Sequence, residues 1–448
     1  MEEGIRIARS VPMRRGMRLL PLVAATYFMV SGGPYGIEDI LDAGYRRALI
    51  ILLALPLLWS LPTALMIGEL ASALPEEGGF YVWVRRALGP FWGYQEAWLS
   101  LAASIFDMAI YPTMFILYLG RLAPAWTAGW HGAAWELGLI AVCCAWNLLG
   151  APAVGEGSLG FFVLLSAPFA ILVGYAAWQG AHAAHSMASA ATSGQAGVTT
   201  AILVAMWNYM GWDNASTVAR EVDRPQRNYP RAMLLSTALV TLAYVIPLGA
   251  MAWARIPAQQ FSTGSWADVA RSMAGEWLGL AIVAGGTLTA LGMFNALTMS
   301  YARLPMVLAE DGMLPPVLAR KNRRGVPWVA VLACAAAWAL ALPFSFERLI
   351  SLDLILYGAS LILEFVALAT LRVREPALDR PFRAGNFATA CLAGAVPTGL
   401  IVYAAYASRH ERMAHMPALA LGASIAAGGP LFYWLSRWRW TRGAAAAD

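Results

Sequence analysis

Charged side chains are scarce in this chain, at 13% of 448 residues, and Lys321 is its only lysine. A soluble domain usually carries about 25% charged residues. The scarcity argues against a soluble domain. The net charge of +5 follows from loop charges around a membrane, so we expect no nucleic-acid partner.

Cysteine is also rare, and the four cysteines offer no framework. Cys143, Cys144, Cys334 and Cys391 all fall in apolar stretches and two are adjacent, which excludes the usual spacing of disulfide or metal-binding cysteines. No nucleophile–base pair stands out either. We therefore expect no enzyme, no metal and no cofactor. The first 18 residues also lack the apolar core of a signal peptide.

Long apolar runs, in contrast, recur along the whole chain, which is 59% hydrophobic. A run such as "RALIILLALPLLWSLPTALMIG" is long enough to cross about 30 Å of hydrocarbon as a helix. The pattern predicts an all-α polytopic membrane protein with about twelve transmembrane helices. We place the spans near 19–46, 47–73, 91–120, 133–150, 158–179, 199–221, 231–254, 276–309, 327–343, 346–371, 388–407 and 416–437. The gaps 73–90, 180–198 and 255–275 have room for short surface helices.

Arginine and lysine concentrate in alternate joining segments, for example in "AREVDRPQRNYPR". By the positive-inside rule these segments face the cytoplasm. We therefore expect an integral protein of the plasma (inner) membrane with both termini cytoplasmic.

Two predicted spans contain helix breakers. "VSGGPYGIEDILDAG" in the first span has glycines and a proline, and "AMWNYMGWDNAS" in the sixth has Gly211. A broken helix at membrane depth survives only where its backbone is buried in protein or lines a cavity. Breaks in corresponding spans mark the substrate site of inverted-repeat transporters. We therefore predict five-helix repeats at 19–179 and 199–371, two further helices at 388–437, and cytoplasmic segments at 1–18 and 438–448.

The predicted spans carry acids, but no lysine or arginine lies deep inside them. These acids are Glu38, Asp39, Glu69, Glu96, Asp107, Asp213, Asp353 and Glu364. Intramembrane charge is costly and by default functional, so acids without basic partners must be protonated or meet a cation. The excess favours a cationic substrate.

The acids divide by position. Asp213 follows the sixth-span break and is the first candidate for substrate binding, with Asp107, Glu38 or Asp353 as its companions. Glu96 and Glu364 are proton-coupling candidates. Glu69 lies near a helix end, where capping of loop amides is the favoured interpretation. Asp107 suits a structural or a ligand role equally.

Aromatic residues surround the second break. Trp207, Tyr209 and Trp212 suit a gate or a cation–π wall, although packing is the alternative interpretation.

The chain resembles the amino acid–polyamine–organocation superfamily, in particular its polyamine-uptake and L-type amino acid transporter branch. The motifs that carry the resemblance include "SGGPYGIED", "WDNASTVAREVDRPQRNYPRAM" and "VLAEDGMLP". The resemblance implies a LeuT-type five-plus-five inverted repeat with helices 1 and 6 broken. It places Ser31, Gly32 and Gly33 in the unwound part of the first helix, Trp207 at an aromatic gate and Asp213 at a substrate-proximal position. We predict that the residues at both breaks, with Tyr35 among them, bind the substrate.

Two departures from the family bear on the substrate and the coupling ion. The first-helix run is Ser-Gly-Gly-Pro rather than Gly-Ser-Gly, and "GSLGFFVLLSAPFAILVG" lacks the fifth-helix lysine of some proton-coupled relatives. We expect a secondary transporter of polyamines that uses protons, with sodium coupling and exchange left open. An amino acid transporter or exchanger is the alternative, and a non-transporting sensor on the same fold is a third possibility.

Overall fold

Helices dominate the structure, because in hydrocarbon every backbone polar group needs a partner within the protein. The computed structural model describes residues 16–182, 195–344, 346–413 and 416–444. Within them, eight helices are long and apolar enough to cross a membrane. Every predicted span coincides with a helix there, and the prediction of an all-α polytopic membrane protein is confirmed.

The helices up to residue 182 account for the first five spans. They are α1 (Leu19–Val30), α2 (Tyr45–Leu55), α3 (Leu61–Ala73), α4 (Phe80–Leu88), α5 (Pro90–Leu122), α6 (Pro124–Thr127), α7 (Trp130–Asn147) and α8 (Ala151–His182). Helices α2 and α3 form one continuous span through a π-helical turn at Pro56–Ser60. Pro56 lacks the N–H that an α-helical turn would use, which explains the irregularity.

The remaining helices begin with the one that leads into the second break. Its helices are α9 (Gln195–Asn208), α10 (Pro225–Trp253), α11 (Trp266–Ala274), α12 (Glu276–Tyr301), α13 (Arg303–Glu310), α14 (Trp328–Ala339), α15 (Phe346–Arg374), α16 (Phe387–Ala407) and α17 (Ala418–Ala444). Short 3-10 turns lie at Glu38–Ala43, Trp212–Thr217, Ala219–Glu221, Ala258–Gln260, Pro316–Ala319 and Ser408–His410. Strands β1 (Arg412–Met413) and β2 (Met416–Pro417) pair antiparallel.

Burial identifies the inner helices of the bundle. In its most apolar stretch α5 is 72% buried, whereas α8 and α17 are each 22% buried. Helix α5 packs along α15 and α12, and α1 packs along α8, α10 and α12. Leu57, Val163 and Leu392 are at least 60% exposed, as expected of side chains that face lipid. A buried substrate site would therefore lie near α5 and the two breaks.

The segments between and after the spans differ in part from the prediction. After each break only 3-10 turns follow, at Glu38–Ala43 and Trp212–Thr217, rather than longer half-helices. Helices α4 and α11 fill two of the gaps predicted to hold surface helices, and most of the third gap lies outside the described residues. The repeat bounds remain predictions, and residues 1–15 and 445–448 of the predicted terminal segments also lie outside the described part.

Candidate substrate site

The first break begins where α1 ends at Val30. The backbone N–H of Ser31 donates the last helical hydrogen bond, to the Tyr27 carbonyl at 2.6 Å. The Gly32 carbonyl instead accepts a hydrogen bond of 2.8 Å from the Thr289 hydroxyl of α12. A Cβ atom at Gly32 would lie 2.2 Å from the Thr289 methyl carbon, so only glycine permits this approach. The neighbouring helix thus satisfies backbone that the break exposes.

The other predicted residues of this stretch also stabilise the break. The Ser31 hydroxyl oxygen accepts a hydrogen bond of 3.0 Å from the Gly33 N–H. The Tyr35 hydroxyl donates one of 2.8 Å to the Ile282 carbonyl of α12. Ser31, Gly33 and Tyr35 are not among the residues that line the cavity described below. Their assignment to substrate binding stays a prediction.

The second break lies against the first. Helix α9 ends at Asn208, and Gly211 has a φ of +90°, a conformation that favours glycine. The Gly211 N–H donates a hydrogen bond of 3.0 Å to the Tyr357 hydroxyl of α15. A Cβ atom at Gly211 would lie 2.4 Å from the Met29 carbonyl oxygen. The two breaks therefore meet backbone to backbone.

Tyr209 and Trp212 stabilise the second break through hydrogen bonds outside the cavity wall. The indole N–H groups of Trp59 and Trp212 both donate to the Tyr209 carbonyl, at 3.0 and 2.7 Å. The Tyr209 hydroxyl donates to the Leu52 carbonyl at 2.9 Å. Of the three aromatic residues predicted at this break, Trp207 lines the cavity, and Tyr209 and Trp212 are fully buried in contacts around it.

A small cavity lies between the breaks and helices α5, α12 and α15. In this conformation it has room for about one water molecule, so the surrounding helices would have to move apart to admit a larger ligand. Its wall combines one carboxyl group with aromatic and thioether side chains. These are Asp107, Tyr111, Trp207, Tyr301, Tyr357, Met29, Met210 and Met293.

Asp107 is the acid of this wall. Its carboxylate accepts hydrogen bonds from the Tyr111 hydroxyl at 2.6 Å and the Tyr301 hydroxyl at 3.2 Å. The residue is 5% exposed, and it makes no ion pair with any base in the described part of the chain. A cation entering the cavity would therefore meet a carboxylate that is oriented but not neutralised.

Asp213 lies one side chain further from the cavity. The Tyr357 hydroxyl donates a hydrogen bond of 2.6 Å to its carboxylate, and it is Tyr357 that lines the cavity. The backbone amides of Asp213 and Asn214 also face this carboxylate. Asp213 lies directly after the break, as predicted, but it reaches the cavity through Tyr357.

Three other predicted acids are fully buried near the cavity. Neither carboxylate oxygen of Asp353 or of Glu364 has a hydrogen-bond partner in the described residues. Glu96 accepts one hydrogen bond of 2.8 Å from the Ser100 hydroxyl, and its second oxygen has no partner there. Asp353 interacts electrostatically with Asp107. Of these acids only Asp107 lines the cavity, so the other three lie behind its wall.

Glu38 belongs to a different part of the molecule. Its carboxylate accepts hydrogen bonds from the Tyr118 hydroxyl at 2.6 Å, the Gly36 N–H at 2.7 Å and the Gly264 N–H at 2.9 Å. It therefore connects the first break to α5 and to the loop before α11. It is not among the cavity-lining residues, and its pairing with substrate stays a prediction.

Glu69 has a partner that the sequence did not reveal. It forms ion pairs with Arg372 at 2.5 Å and Arg380 at 3.3 Å, and it also accepts a hydrogen bond of 2.8 Å from the Ala384 N–H. Capping of a loop amide is thus only part of its role. Helix α15 extends to Arg374 rather than to the predicted end at 371, which brings Arg372 into the buried region.

Tyrosines are the main site residues that sequence reasoning missed. Tyr111 follows Asp107 by four positions, and Tyr357 follows Asp353 by four. Residues four apart share a helix face, so this spacing was the signal that could have found them. Tyr301 and the methionines carried no such signal, because they reach the cavity from other helices.

Comparison with known proteins agrees with this architecture. The amino acid permease family model matches residues 23–423. The polyamine transporter PUT1 of Oryza sativa subsp. japonica is 34% identical over 435 residues, which cover 96% of this chain and 80% of the relative. The polyamine transporter RMV1 of Arabidopsis thaliana is 33% identical over 84% of this chain and 77% of its own length.

A more distant relative has a different substrate in its name. The serine/threonine exchanger SteT of Bacillus subtilis is 25% identical over 72% of this chain and 75% of its own length. The family match extends over nearly all the described helices and both breaks. The chain therefore belongs to the amino acid permease family, within the amino acid–polyamine–organocation superfamily of membrane transporters.

Proposed function

We propose that this protein is a secondary active transporter of polyamines such as putrescine or spermidine. The observation that carries the proposal is Asp107, a buried carboxylate without a basic partner in the described residues, in a cavity between two broken helices. The relatives whose names specify polyamine transport support the same substrate class.

The chemistry of the cavity wall suits an organic cation. An ammonium group can donate a charge-assisted hydrogen bond to Asp107, while the hydroxyls of Tyr111 and Tyr301 fix the carboxylate. Trp207 also lines the cavity and can contribute a cation–π interaction with the same cation. The thioether side chains of the wall are flexible and polarisable, which suits an alkyl chain of variable length.

Transport would follow alternating access around this cavity. The helices that carry the breaks would rock against the rest of the bundle, with the substrate near the bilayer midplane. The positive-inside pattern supports a plasma (inner) membrane location with both termini in the cytoplasm. An inward proton gradient is the proposed driving force, with Glu96 and Glu364 as coupling candidates.

Uptake into liposomes tests the proposal directly. Purified protein is reconstituted and supplied with labelled putrescine, spermidine, arginine, leucine or alanine, with and without a pH gradient. We expect saturable polyamine uptake that the gradient stimulates and that sodium leaves unchanged. Saturable leucine or alanine uptake without polyamine competition would contradict the substrate.

An amino acid exchanger is the second candidate, favoured by the likeness to the serine/threonine exchanger SteT. A zwitterion needs an anion site as well as Asp107, and the unwound backbone at Ser31 to Gly33 would have to supply it. Adding serine and threonine to the panel separates the two candidates. Uptake that needs only counter-substrate inside the liposome would favour exchange.

A further inference from the structure

Acidic side chains follow one face of α5 and one face of α15. On α5, Glu96 and Asp107 are eleven positions apart, and on α15, Asp353 and Glu364 are also eleven positions apart. Eleven residues make about three helical turns, or roughly 16 Å. Each pair therefore shares a helix face, and α5 and α15 pack against each other. With Asp213 we call these residues the acidic seam.

Helix geometry orders the members of the acidic seam. Tyr357 lies between Asp353 and Glu364 on α15 and donates a hydrogen bond of 2.6 Å to Asp213, which places Asp213 between the two ends. Asp107 and Asp353 lie at one end, and Glu96 and Glu364 lie at the other, where the start of α5 is near the last turn of α15. Electrostatic interactions of Asp213 with Asp353 and with Glu364 agree with this order. The first end opens on the cavity through Asp107.

The second end approaches the predicted cytoplasmic face. Glu96 is six positions after Pro90, the first residue of α5, which is about 9 Å along the axis. The last turn of α15 reaches the same face, because Arg374 donates a hydrogen bond of 3.1 Å to the Ala87 carbonyl. The acidic seam thus extends from the cavity through the inner half of the membrane.

The protonation state of the acidic seam follows from desolvation. A carboxylate with no hydrogen bond and no counter-ion is very costly to bury, so such a group is neutral. Asp353 and Glu364 are both 0% exposed and have no partner in the described residues. We therefore expect each of these two carboxyl groups to hold a proton in this conformation.

No base in the described residues neutralises the acidic seam. The bases near α15 lie at its end and are already paired, as Arg372 with Glu69 and Arg86 with Glu375. On α4, Arg85 is paired with Asp311. Within their described side chains, α9, α16 and α17 present no acid, base or histidine to α15. The titratable groups facing Glu364 are Glu96, Asp213 and Tyr357.

We propose that the acidic seam carries the coupling proton between the substrate cavity and the predicted cytoplasmic face, with Glu364 as its principal proton holder. This inference rests on the proposed transport function and deepens it by assigning the proton a path separate from the substrate. Tyr357 connects the two, since it lines the cavity and donates its hydroxyl hydrogen bond to Asp213. The proton moves between carboxyl groups, and no further reactant is required.

The test compares two transport modes of the same variants. Glu364→Gln removes the titratable group and keeps its shape. Glu156→Gln is the matched control, because Glu156 is an exposed glutamate on α8. Each protein in liposomes is assayed for putrescine uptake driven by an inward proton gradient, and for putrescine counterflow, which needs no net proton movement.

We expect Glu364→Gln to lose gradient-driven accumulation to the level of protein-free liposomes while it retains counterflow. The wild type and Glu156→Gln should keep both modes. Gradient-driven accumulation by Glu364→Gln at the wild-type level would overturn the inference. A wild type that exchanges polyamine without any response to pH would also overturn it, and the substrate proposal would survive.

A second readout needs no transport. Infrared spectra of the ligand-free protein at neutral pH should contain carboxylic acid C=O absorption, from which Glu364→Gln loses the contribution of one carboxyl group and Glu156→Gln loses none. Identical bands in all three proteins would show that Glu364 is ionised and would overturn the inference. If Glu364→Gln does not fold, Glu96→Gln is assayed in both transport modes with the same expectation.

The failure of the proposed function has a different signature. A wild type that neither accumulates nor exchanges polyamines disproves the substrate while the infrared result still decides the protonation of Glu364. The two transport modes are then measured with serine or threonine, and the same loss in Glu364→Gln is expected.

Discussion

Two groups of buried acids differ in their partners rather than in their burial. At the predicted cytoplasmic face, Glu69 is 0% exposed and is paired with Arg372 and Arg380. In the interior, Glu364 is equally buried and has no partner in the described residues. Burial alone therefore does not distinguish a structural acid from one that can exchange protons or meet a cation. The presence of an arginine partner distinguishes the two kinds of acid.

A second ion-pair group strengthens the comparison. Arg303 is 3% exposed and forms ion pairs with Glu221 and, at 3.8 Å, with Glu77. Lys321 lies 3.7 Å from Glu77. These contacts join the turn before α4, the 3-10 turns after the second break and α13. Charge neutralisation at this face stabilises the conformation, whereas the interior acids leave it free to respond to ligand or proton.

The largest expected effect on folding stability comes from breaking the buried ion pair at Glu69. Arg372→Met should destabilise the protein by up to about 3 kcal/mol, the lower end of the range for breaking a buried ion pair, because Glu69 keeps Arg380 as a partner at 3.3 Å. Thermal and denaturant unfolding in detergent measure the loss. The double variant Glu69→Leu/Arg372→Met is the control and should recover part of the stability. Additive losses in the double variant would show that the pair is not coupled.

The next effect is on an interior acid and concerns binding rather than folding. Asp107→Asn should weaken putrescine binding by about 1.5–3 kcal/mol, the value of a hydrogen bond to a charged group, or about 10- to 100-fold in Kd. The ligand-free melting temperature should change little. Asp213→Asn tests the alternative partner, and an equal or larger loss of affinity there would assign the ammonium to Asp213.

An exposed ion pair should matter much less. Arg86 donates hydrogen bonds of 2.9 and 2.6 Å to Glu375, and this lowers the pKa of the Glu375 carboxyl. The pair therefore stabilises the folded state above the ordinary glutamate pKa, and the contribution disappears as pH falls through the lowered value. Arg86→Met should cost about 0.2–1 kcal/mol at neutral pH and low salt. Melting curves against pH should converge in acid, and a difference that grows in acid would contradict the assignment.

The smallest effect on stability is expected at Glu364. Since a buried carboxyl with neither a hydrogen bond nor a counter-ion is neutral, Glu364→Gln exchanges one uncharged polar group for another of similar shape. The melting temperature should remain close to that of the wild type at neutral pH, in contrast to Arg372→Met. A large increase in stability would instead indicate that the substitution had removed a buried negative charge.

The sequence predicted the helices and both breaks, because these depend on local apolar length and on glycine and proline. It also found the interior acids, since charge within an apolar run is conspicuous. It did not predict that Asp107 lines the cavity while Asp213 lies behind Tyr357. That order depends on how α5, α15 and the second break pack together.

Distant pairing was equally invisible from the sequence. Glu69 and Arg372 lie on opposite halves of the chain, and Arg372 was one residue beyond the predicted end of its span. Glu38 followed the first break as expected, yet its three hydrogen-bond donors come from its own loop, α5 and the segment before α11. Such contacts are set by the tertiary fold, so composition and periodicity do not reveal them.

The backbone crossing of the two breaks has a mechanical consequence. Gly211 leaves no room for a side chain against the Met29 carbonyl, so no flexible group lies between the two segments to absorb a displacement. Because the two segments touch directly, we expect a displacement of α1 to shift the backbone at Gly211, and a displacement at Gly211 to shift α1. The motions of the two breaks would then be coupled at the point where the substrate would bind.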